Sequence, residues 1–328
     1  METRRNPEAV AQAIREAGRV ALCAHVSPDG DTIGSTLALR WGLEQLGKRV
    51  TVLCQDKVPD NLRFLPGAAD FRTPEEAAAD WDLLIAVDVA DERRLGRCEA
   101  LLRSAPRTAQ VDHHGTNPAY ARVNDIDASA SATALLVKEL LDCLGVQMTR
   151  EIGVCLYTGI STDTGNFAFS NTTPEAFRVT GDILAQCDLP LSRVNHMLFR
   201  QRSQPQTRLL ARALSSLRFA GDGAIAVMTV TRQDMADCGA LPEHTDTLVN
   251  FGMDVEGVKL ALFARETGDS QTKISLRAVE PFAVDGVAKR FGGGGHALAA
   301  GCTVDEPLGI AVEQVTDALL REWNGVNK

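Results

Sequence analysis

Short apolar runs alternate with longer stretches of helical period along the first half of the chain. The apolar runs lie at residues 20–26, 49–54, 83–89 and 108–111. Between them, segments such as residues 36–46 (TLALRWGLEQL) repeat apolar positions every three to four residues, which is typical of helices packed on a sheet. The alternation predicts an α/β domain with a parallel sheet and crossover helices.

The pattern changes after residue 188, where a polar segment rich in Gln and Arg begins. Beyond it, strand-like runs at 224–231, 258–265 and 272–279 precede a helix predicted over 284–291 and a closing amphipathic helix at about 309–323. A chain of 328 residues also exceeds what one hydrophobic core usually serves. We therefore predict a first domain over 1–188, a linker over 189–212 and a smaller α/β domain over 213–328.

Composition narrows the classes of function. The 34 Lys and Arg against 43 Asp and Glu give a net charge of −9, which argues against a protein that coats long nucleic acid. The first residues, METRRNP, lack the apolar core of a signal peptide, and no apolar run approaches membrane-spanning length. We expect a cytoplasmic protein without membrane contact. The eight cysteines include no Cys-x-x-Cys and are expected to be reduced and buried.

Side chains of metal-binding type gather where the predicted strands end. They are His25, Asp29 and Asp31 after the first strand, Asp88 after the third, Asp112, His113 and His114 after the fourth, and Asp163 in a turn that follows a helix predicted over 151–160. A single Asp after a strand is most often a helix cap or a turn residue. Four such groups together favour a shared site, because the carboxyl ends of parallel strands meet at one edge.

Electrostatics indicates what this shared site would bind. Carboxylates that converge on one crevice repel by about 4 kcal/mol for each close pair at an effective dielectric constant near 20. Bound cations would relieve that repulsion. Carboxylates and imidazoles without a thiolate suit hard or borderline divalent ions, and the ligands suffice for two ions that share a carboxylate. Such a pair binds phosphate and lowers the pKa of bound water, so these residues predict phosphate hydrolysis.

In their order along the chain, these motifs resemble the DHH phosphoesterase superfamily, which is named after the triplet found here at 112–114. The other motifs are HVSPDGD at 25–31, the apolar run that ends in Asp88, and TDTG at 162–165. The resemblance implies two divalent ions, with Mn²⁺ expected and Mg²⁺ or Co²⁺ as alternatives. It implies one ion held by His25, Asp29 and Asp88, and a second held by Asp31, Asp88, His113 and Asp163. By the same similarity, His114 faces the substrate phosphate and Asp112 orients the histidines, although a purely structural role for His114 stays open.

Four glycines at 292–295 and His296 form the main motif of the second half. Residues 292–297 fit Gly-x-Gly-x-x-Ala, but a dinucleotide-binding fingerprint follows a strand, whereas a helix is predicted here. A flexible loop is the ordinary interpretation. Together with the Ser-x-Arg strand at 275–277, however, this loop resembles the DHH-associated C-terminal domain. That resemblance implies that Ser275, Arg277, Gly293, Gly294, Gly295 and His296 contact the non-scissile part of the substrate across an interdomain cleft.

The resemblance covers nearly the whole chain and is greatest to the bacterial oligoribonuclease and 3'-phosphoadenosine-5'-phosphate (pAp) phosphatase group. The substrates that it implies are very short RNAs, dinucleotides and pAp, and a homodimer is left open. A phosphodiesterase for linear dinucleotide messengers such as pApA and pGpG is the first alternative. A catalytically silent nucleotide sensor is the second. The sensor would be expected to have lost ligands, whereas every residue that the two-metal arrangement requires is present.

Overall fold

The structure, a computed structural model, describes residues 4–78 and 80–326. It divides into two compact units, Met1–Gln201 and Arg202–Lys328. The division lies within the segment 189–212 that the sequence suggests as a linker. Much of that segment is helical, because its residues form the end of one unit and the first helix of the next.

A five-stranded parallel sheet forms the centre of the first unit, as predicted. The strands are β1 (Arg19–Cys23), β2 (Arg49–Leu53), β3 (Leu83–Val87), β4 (Thr108–Asp112) and β5 (Val123–Ile126), in the order β2-β1-β3-β4-β5. All neighbouring pairs are parallel. The first four strands match the predicted runs, and β5 is an addition. The order places the carboxyl ends of β1, β3 and β4 side by side.

Helices cover both faces of this sheet. They are α1 (Pro7–Glu16), α2 (Gly30–Gln45), α3 (Glu99–Ser104), α4 (Thr133–Cys143), α5 (Arg150–Asp163), α6 (Pro174–Gln186) and α7 (Leu191–Asn195). The larger core lies on the face that α1, α2, α4 and α5 cover, and α3 covers the other. The helix predicted over 151–160 continues to Asp163, which is therefore the last residue of α5 and not part of a turn.

The second unit contains a six-stranded mixed sheet. Its strands are β6 (Arg218–Ala220), β7 (Ile225–Val230), β8 (Leu260–Gly268), β9 (Gln271–Ala278), β10 (Gly294–His296) and β11 (Ala299–Val304), in the order β10-β11-β9-β8-β7-β6. Only β7 and β8 pair in parallel among these described strands. The helices are α8 (Gln204–Ser215), α9 (Arg232–Cys238), α10 (Leu248–Met253), α11 (Asp285–Arg290) and α12 (Leu308–Val326). Across residues 4–78 and 80–326, no helix is both long and apolar enough to cross a bilayer.

The prediction of a loop over residues 292–296 is wrong in part, because Gly294–His296 form the edge strand β10. Gly294, Gly295 and His296 pair with Gly301, Ala300 and Ala299 of β11. Gly295 has a φ of 143°, and a Cβ there would lie 2.5 Å from the Ala299 carbonyl oxygen. Glycine is required at this position for both reasons, and a run of glycines carries no alternation from which a strand can be predicted.

Candidate active site

The ends of β1, β3, β4 and α5 bring the predicted ligands of the first unit together. Potential ligand atoms lie within 4.8 Å of one another in three groups: His25, Asp29 and Asp88; Asp31, His113 and Asp163; and Asp88, His113 and His114. The members of these groups come from distant parts of the chain, from His25 after β1 to Asp163 at the end of α5. The crossover topology alone makes them neighbours.

The first group is centred on the ring of His25. Its Nε2 lies 3.7 Å from Asp29 Oδ1 and 3.6 Å from Asp88 Oδ2. Its Nδ1 lies 2.8 Å from the Val26 carbonyl oxygen and 2.9 Å from Arg94 Nη2. If a metal replaced the proton on Nε2, a ring that donates Nδ1–H to Val26 would direct its Nε2 lone pair at an ion between the two carboxylates, which is how a histidine holds a metal.

Asp29 is also a helix cap, which is a common role for a single aspartate after a strand. Its side chain caps α2, and Oδ1 accepts hydrogen bonds from the amides of Asp31 at 3.1 Å and Thr32 at 3.2 Å. The side chain is 59% exposed. Capping and metal binding are compatible, because a carboxylate has about four acceptor positions and the cap uses one oxygen.

The second group is centred on His113. Its Nε2 lies 3.3 Å from Asp163 Oδ2 and 3.7 Å from Asp88 Oδ1, and its Nδ1 lies 3.2 Å from the Ala130 carbonyl oxygen. Asp88 therefore directs Oδ2 toward His25 and Oδ1 toward His113. Its carboxylate lies between two sets of metal-binding side chains, in the position that a bridging ligand would occupy.

His114 has a different partner from His113. Its Nδ1 lies 2.8 Å from Asp112 Oδ1, and the other oxygen of Asp112 accepts a hydrogen bond from Asn117 Nδ2 at 2.5 Å. Asp112 is fully buried, whereas the side chain of His114 is 35% exposed. Asp112 thus contacts His114, while the Nδ1 of His113 is paired with a backbone carbonyl. The contact that would let Asp112 orient a histidine is present for His114 and absent for His113, and the orienting role stays a prediction.

The residues predicted for substrate binding lie on the sheet of the second unit, except Gly293, which directly precedes β10. Ser275 and Arg277 are two positions apart on β9 and share a face, opposite to the buried Ile274 and Leu276. Arg277 pairs with Ala299, which in turn pairs with His296. Cross-strand partners project to the same face, so Ser275, Arg277 and His296 lie together with only the small Ala299 between the last two.

Comparisons with known proteins identify both domains. Residues 19–160 match the DHH family, N-terminal domain, and residues 222–325 match the DHHA1 domain. The bifunctional oligoribonuclease and PAP phosphatase NrnA of Thermus thermophilus is 36% identical over 306 residues, which cover 93% of this chain and 90% of that protein. The chain belongs to the DHH family.

Two further proteins are also similar to this chain over most of its length. The Bacillus subtilis bifunctional oligoribonuclease and PAP phosphatase NrnA is 25% identical and covers 87% of this chain and 89% of that protein. Among solved structures, an exopolyphosphatase-related protein from Bacteroides fragilis superposes with a TM-score of 0.89 at 25% identity, covering 98% of this chain and 96% of that one.

The N-terminus of α4 supports two of the predicted ligands, and the sequence alone did not indicate this role. Asp31 accepts hydrogen bonds from the amides of Thr133 at 2.6 Å and Ala134 at 3.0 Å, and from Ser35 Oγ at 2.9 Å. The hydroxyl of Thr133 donates to Asp88 Oδ1 at 2.7 Å. A small polar residue before the apolar run 134–137 could have indicated a helix start, which is a favourable place for carboxylates.

A glycine on α5 makes room for the same carboxylate. A Cβ at Gly159 would lie 2.6 Å from Asp31 Oδ1 and 2.7 Å from the Cβ of Ala134. Any larger residue would displace Asp31 or the start of α4. The close approach of α2, α4 and α5 thus depends on this position.

The pKa values of the DHH site reflect its crowded negative charge. Burial and the charges of Asp88 and Asp163 hold the pKa of Asp31 well above its usual range. Burial raises the pKa of Asp163 to about 6, and the charge of Asp88 adds to this effect. For His25, burial acts to lower the pKa, but hydrogen bonds with Asp29 and Asp88 outweigh it and raise the pKa to about 9. Bound protons thus offset carboxylate repulsion where divalent ions would do so more effectively.

Proposed function

We propose that this DHH protein hydrolyses very short RNAs and dinucleotides to mononucleotides and dephosphorylates pAp, using two divalent ions for which Mn²⁺ is our expectation. The position of Asp88 between two sets of metal-binding side chains is the observation that supports a two-ion site. The two relatives that are named as bifunctional oligoribonucleases and PAP phosphatases support the choice of substrates.

The donors in the first unit fit a pair of hard or borderline divalent ions. One set would be His25, Asp29 and Asp88, and the other Asp31, Asp88, His113 and Asp163. Every donor is an imidazole nitrogen or a carboxylate oxygen, as Mn²⁺ and Mg²⁺ accept. When bound, such ions bind the phosphate and supply a nucleophile by lowering the pKa of water.

His114 would act on the phosphoryl group from the side of the site opposite Asp112. The hydrogen bond with Asp112 raises the pKa of His114 and engages Nδ1, which leaves Nε2 for the substrate. A protonated Nε2 would donate to a phosphoryl oxygen or to the leaving group. Asp112 would keep the ring in place, since Asn117 holds its second oxygen.

Arg277 would provide the charge that holds the rest of the substrate. Its Nη1 donates to the Leu276 carbonyl oxygen at 3.0 Å, and no ion pair involves it in the described part of the chain. Its guanidinium is half-buried, and this burial lowers its pKa. An arginine without a carboxylate partner can bind phosphate through two parallel hydrogen bonds. Ser275, His296 and the amides of residues 293–295 would complete this surface.

A substrate panel tests this proposal. Purified protein with Mn²⁺ is given pAp, unmodified dinucleotides, pApA, pGpG, pyrophosphate and single-stranded RNAs of increasing length. We expect turnover of pAp and the dinucleotides, with rates that fall as the RNA becomes longer, because the net charge of −9 offers long RNA little nonspecific attraction. A preference for long RNA would overturn the proposal, and binding without turnover would support the silent sensor. A clear preference for pApA and pGpG over unmodified dinucleotides would favour the messenger phosphodiesterase.

A further inference from the structure

A strained loop follows Asp163 at the end of α5. Gly165, Asn166 and Phe167 have consecutive positive φ angles of 57°, 56° and 65°. This conformation is unfavourable for residues with a Cβ, and it persists where the surrounding structure enforces it, most often at functional sites. Here the amide of Asn166 donates to the Ser161 carbonyl oxygen at 2.6 Å, which holds the loop against the last turn of the helix.

The loop presents Phe169 to solvent in a fixed position. Phe169 is 61% exposed, the highest value for a large apolar side chain among the described residues. Its amide donates to the Thr164 carbonyl oxygen at 2.9 Å, and its own carbonyl accepts from the Thr172 amide at 3.1 Å. The ring rests on Gly165, where a Cβ would lie 2.5–2.6 Å from three ring carbons. A ring held in this way can bind a flat ligand with little further loss of conformational entropy.

Phe169 lies close to the metal-binding end of α5. Gly165, which supports the ring, follows Asp163 by two residues, a chain length of at most about 7 Å. The far end of the loop returns to the same place, because Asn171 Nδ2 donates to the Asp163 carbonyl oxygen at 3.0 Å. A nucleotide whose phosphate lies at Asp163 therefore has its base, one ribose away, within reach of the ring.

We propose that Phe169 is a stacking platform for the nucleobase adjacent to the scissile phosphate. This inference rests on the proposed function and adds a determinant of substrate choice to it. Stacking on an aromatic ring accepts every base, because each has a π face. Phe169 would make binding depend on the presence of a base but not on its identity.

Phe177 of α6 provides a matched control. It is 58% exposed, nearly as much as Phe169, but its ring already stacks on Phe167 with centroids 5.0 Å apart. If exposed aromatic surface in general aided activity, the two phenylalanines would behave alike. If stacking of a base at the metal site aids substrate binding, only substitution of Phe169 should weaken that binding.

The first experiment compares KM for pAp with KM for its abasic counterpart, in which hydrogen replaces adenine. Phe169→Ala should raise KM for pAp by roughly 5- to 150-fold and remove most of the advantage of pAp over the abasic compound. Phe169→Trp should restore that advantage, whereas Phe169→Leu should not. Phe177→Ala should change KM for pAp by less than about twofold.

A second measurement does not depend on turnover. The tryptophan fluorescence of Phe169→Trp, measured in Mg²⁺, should be quenched by AMP beyond the change in the wild type, which contains Trp41, Trp81 and Trp323. Inorganic phosphate should produce no such quenching.

Equal losses on pAp and its abasic counterpart, an equal effect of Phe177→Ala, or absence of AMP-specific quenching would each overturn the stacking platform. A wild type that turns over neither pAp nor dinucleotides would instead count against the proposed function, while the fluorescence result still decides the role of Phe169.

Discussion

The two units hold their functional side chains in different ways. In the first, Asp31, Asp88 and Asp112 are at most 2% exposed, and each accepts hydrogen bonds that fix its carboxylate. In the second, Arg277 is only half-buried and His296 is exposed on an edge strand. Metal-assisted chemistry requires donors in fixed positions, whereas a surface that grips substrates of varying sequence can adapt to them. Substitutions of these three carboxylates should therefore affect chemistry, and those of Arg277 and His296 should affect binding.

The largest effect should come from Asp88→Asn. Loss of the charge that lies between His25 and His113 should weaken both ions and lower kcat/KM for pAp by on the order of 10³-fold or more. The measurement is turnover together with bound Mn²⁺ by metal analysis. Asp82→Asn, just before the amino end of the same strand, is the control and should keep its ions. A folded Asp88→Asn protein with near wild-type turnover, or full wild-type turnover in EDTA, would contradict the two-ion site.

The next effect concerns His114, which we expect to act on the substrate and not on a metal. His114→Ala should lower kcat by on the order of 10²- to 10⁴-fold with nearly unchanged metal content. His113→Ala, by contrast, should lose an ion. If metal analysis shows the same loss for His114→Ala, then the division of roles between the two histidines is wrong.

Thr133 allows a test of how firmly the first unit holds its ligands. Thr133→Val keeps the shape of the side chain and the amide that binds Asp31, but it removes the hydroxyl that donates to Asp88. Partners behind metal ligands commonly contribute 10- to 100-fold to affinity, so Mn²⁺ should bind weaker by roughly that factor in calorimetric titrations. Thr133→Ser, which keeps a hydroxyl, should retain most of the affinity for Mn²⁺. An unchanged Kd for Thr133→Val would show that the hydroxyl does not support the site.

The smallest predicted effect separates the second unit from the first. Arg277→Ala should raise KM for dinucleotides and pAp by roughly tenfold or more, since one charge-assisted contact contributes about 1.5–3 kcal/mol. Turnover of bis-p-nitrophenyl phosphate, which reaches only the metals, should hardly change. Lys273→Ala, on the same face of β9 but exposed, is the matched control. Equal losses of activity on both kinds of substrate would show that Arg277 has a catalytic or structural role and does not serve substrate binding alone.

The sequence indicated the parallel sheet because long apolar runs mark its strands, and it indicated the ligand types because they follow those runs directly. It did not indicate β5, whose four residues, VNDI, alternate weakly, or β10, which is mostly glycine. The contact from Thr133 to Asp88 spans 45 residues and depends on the packing of α4. Pairings of this kind arise from tertiary structure and have no local pattern.

The position of Asp163 at the end of α5 also limits when the predicted metal site can form during synthesis. Five strands and four helices of the first unit precede α5, whose last residue is Asp163. During synthesis, a nascent chain that stops short of residue 163 can pair its strands but lacks one of the predicted donors. Contacts over such long sequence separations form late in folding, because a large part of the chain must first be ordered. Metal loading would then be a late step in the assembly of the first unit.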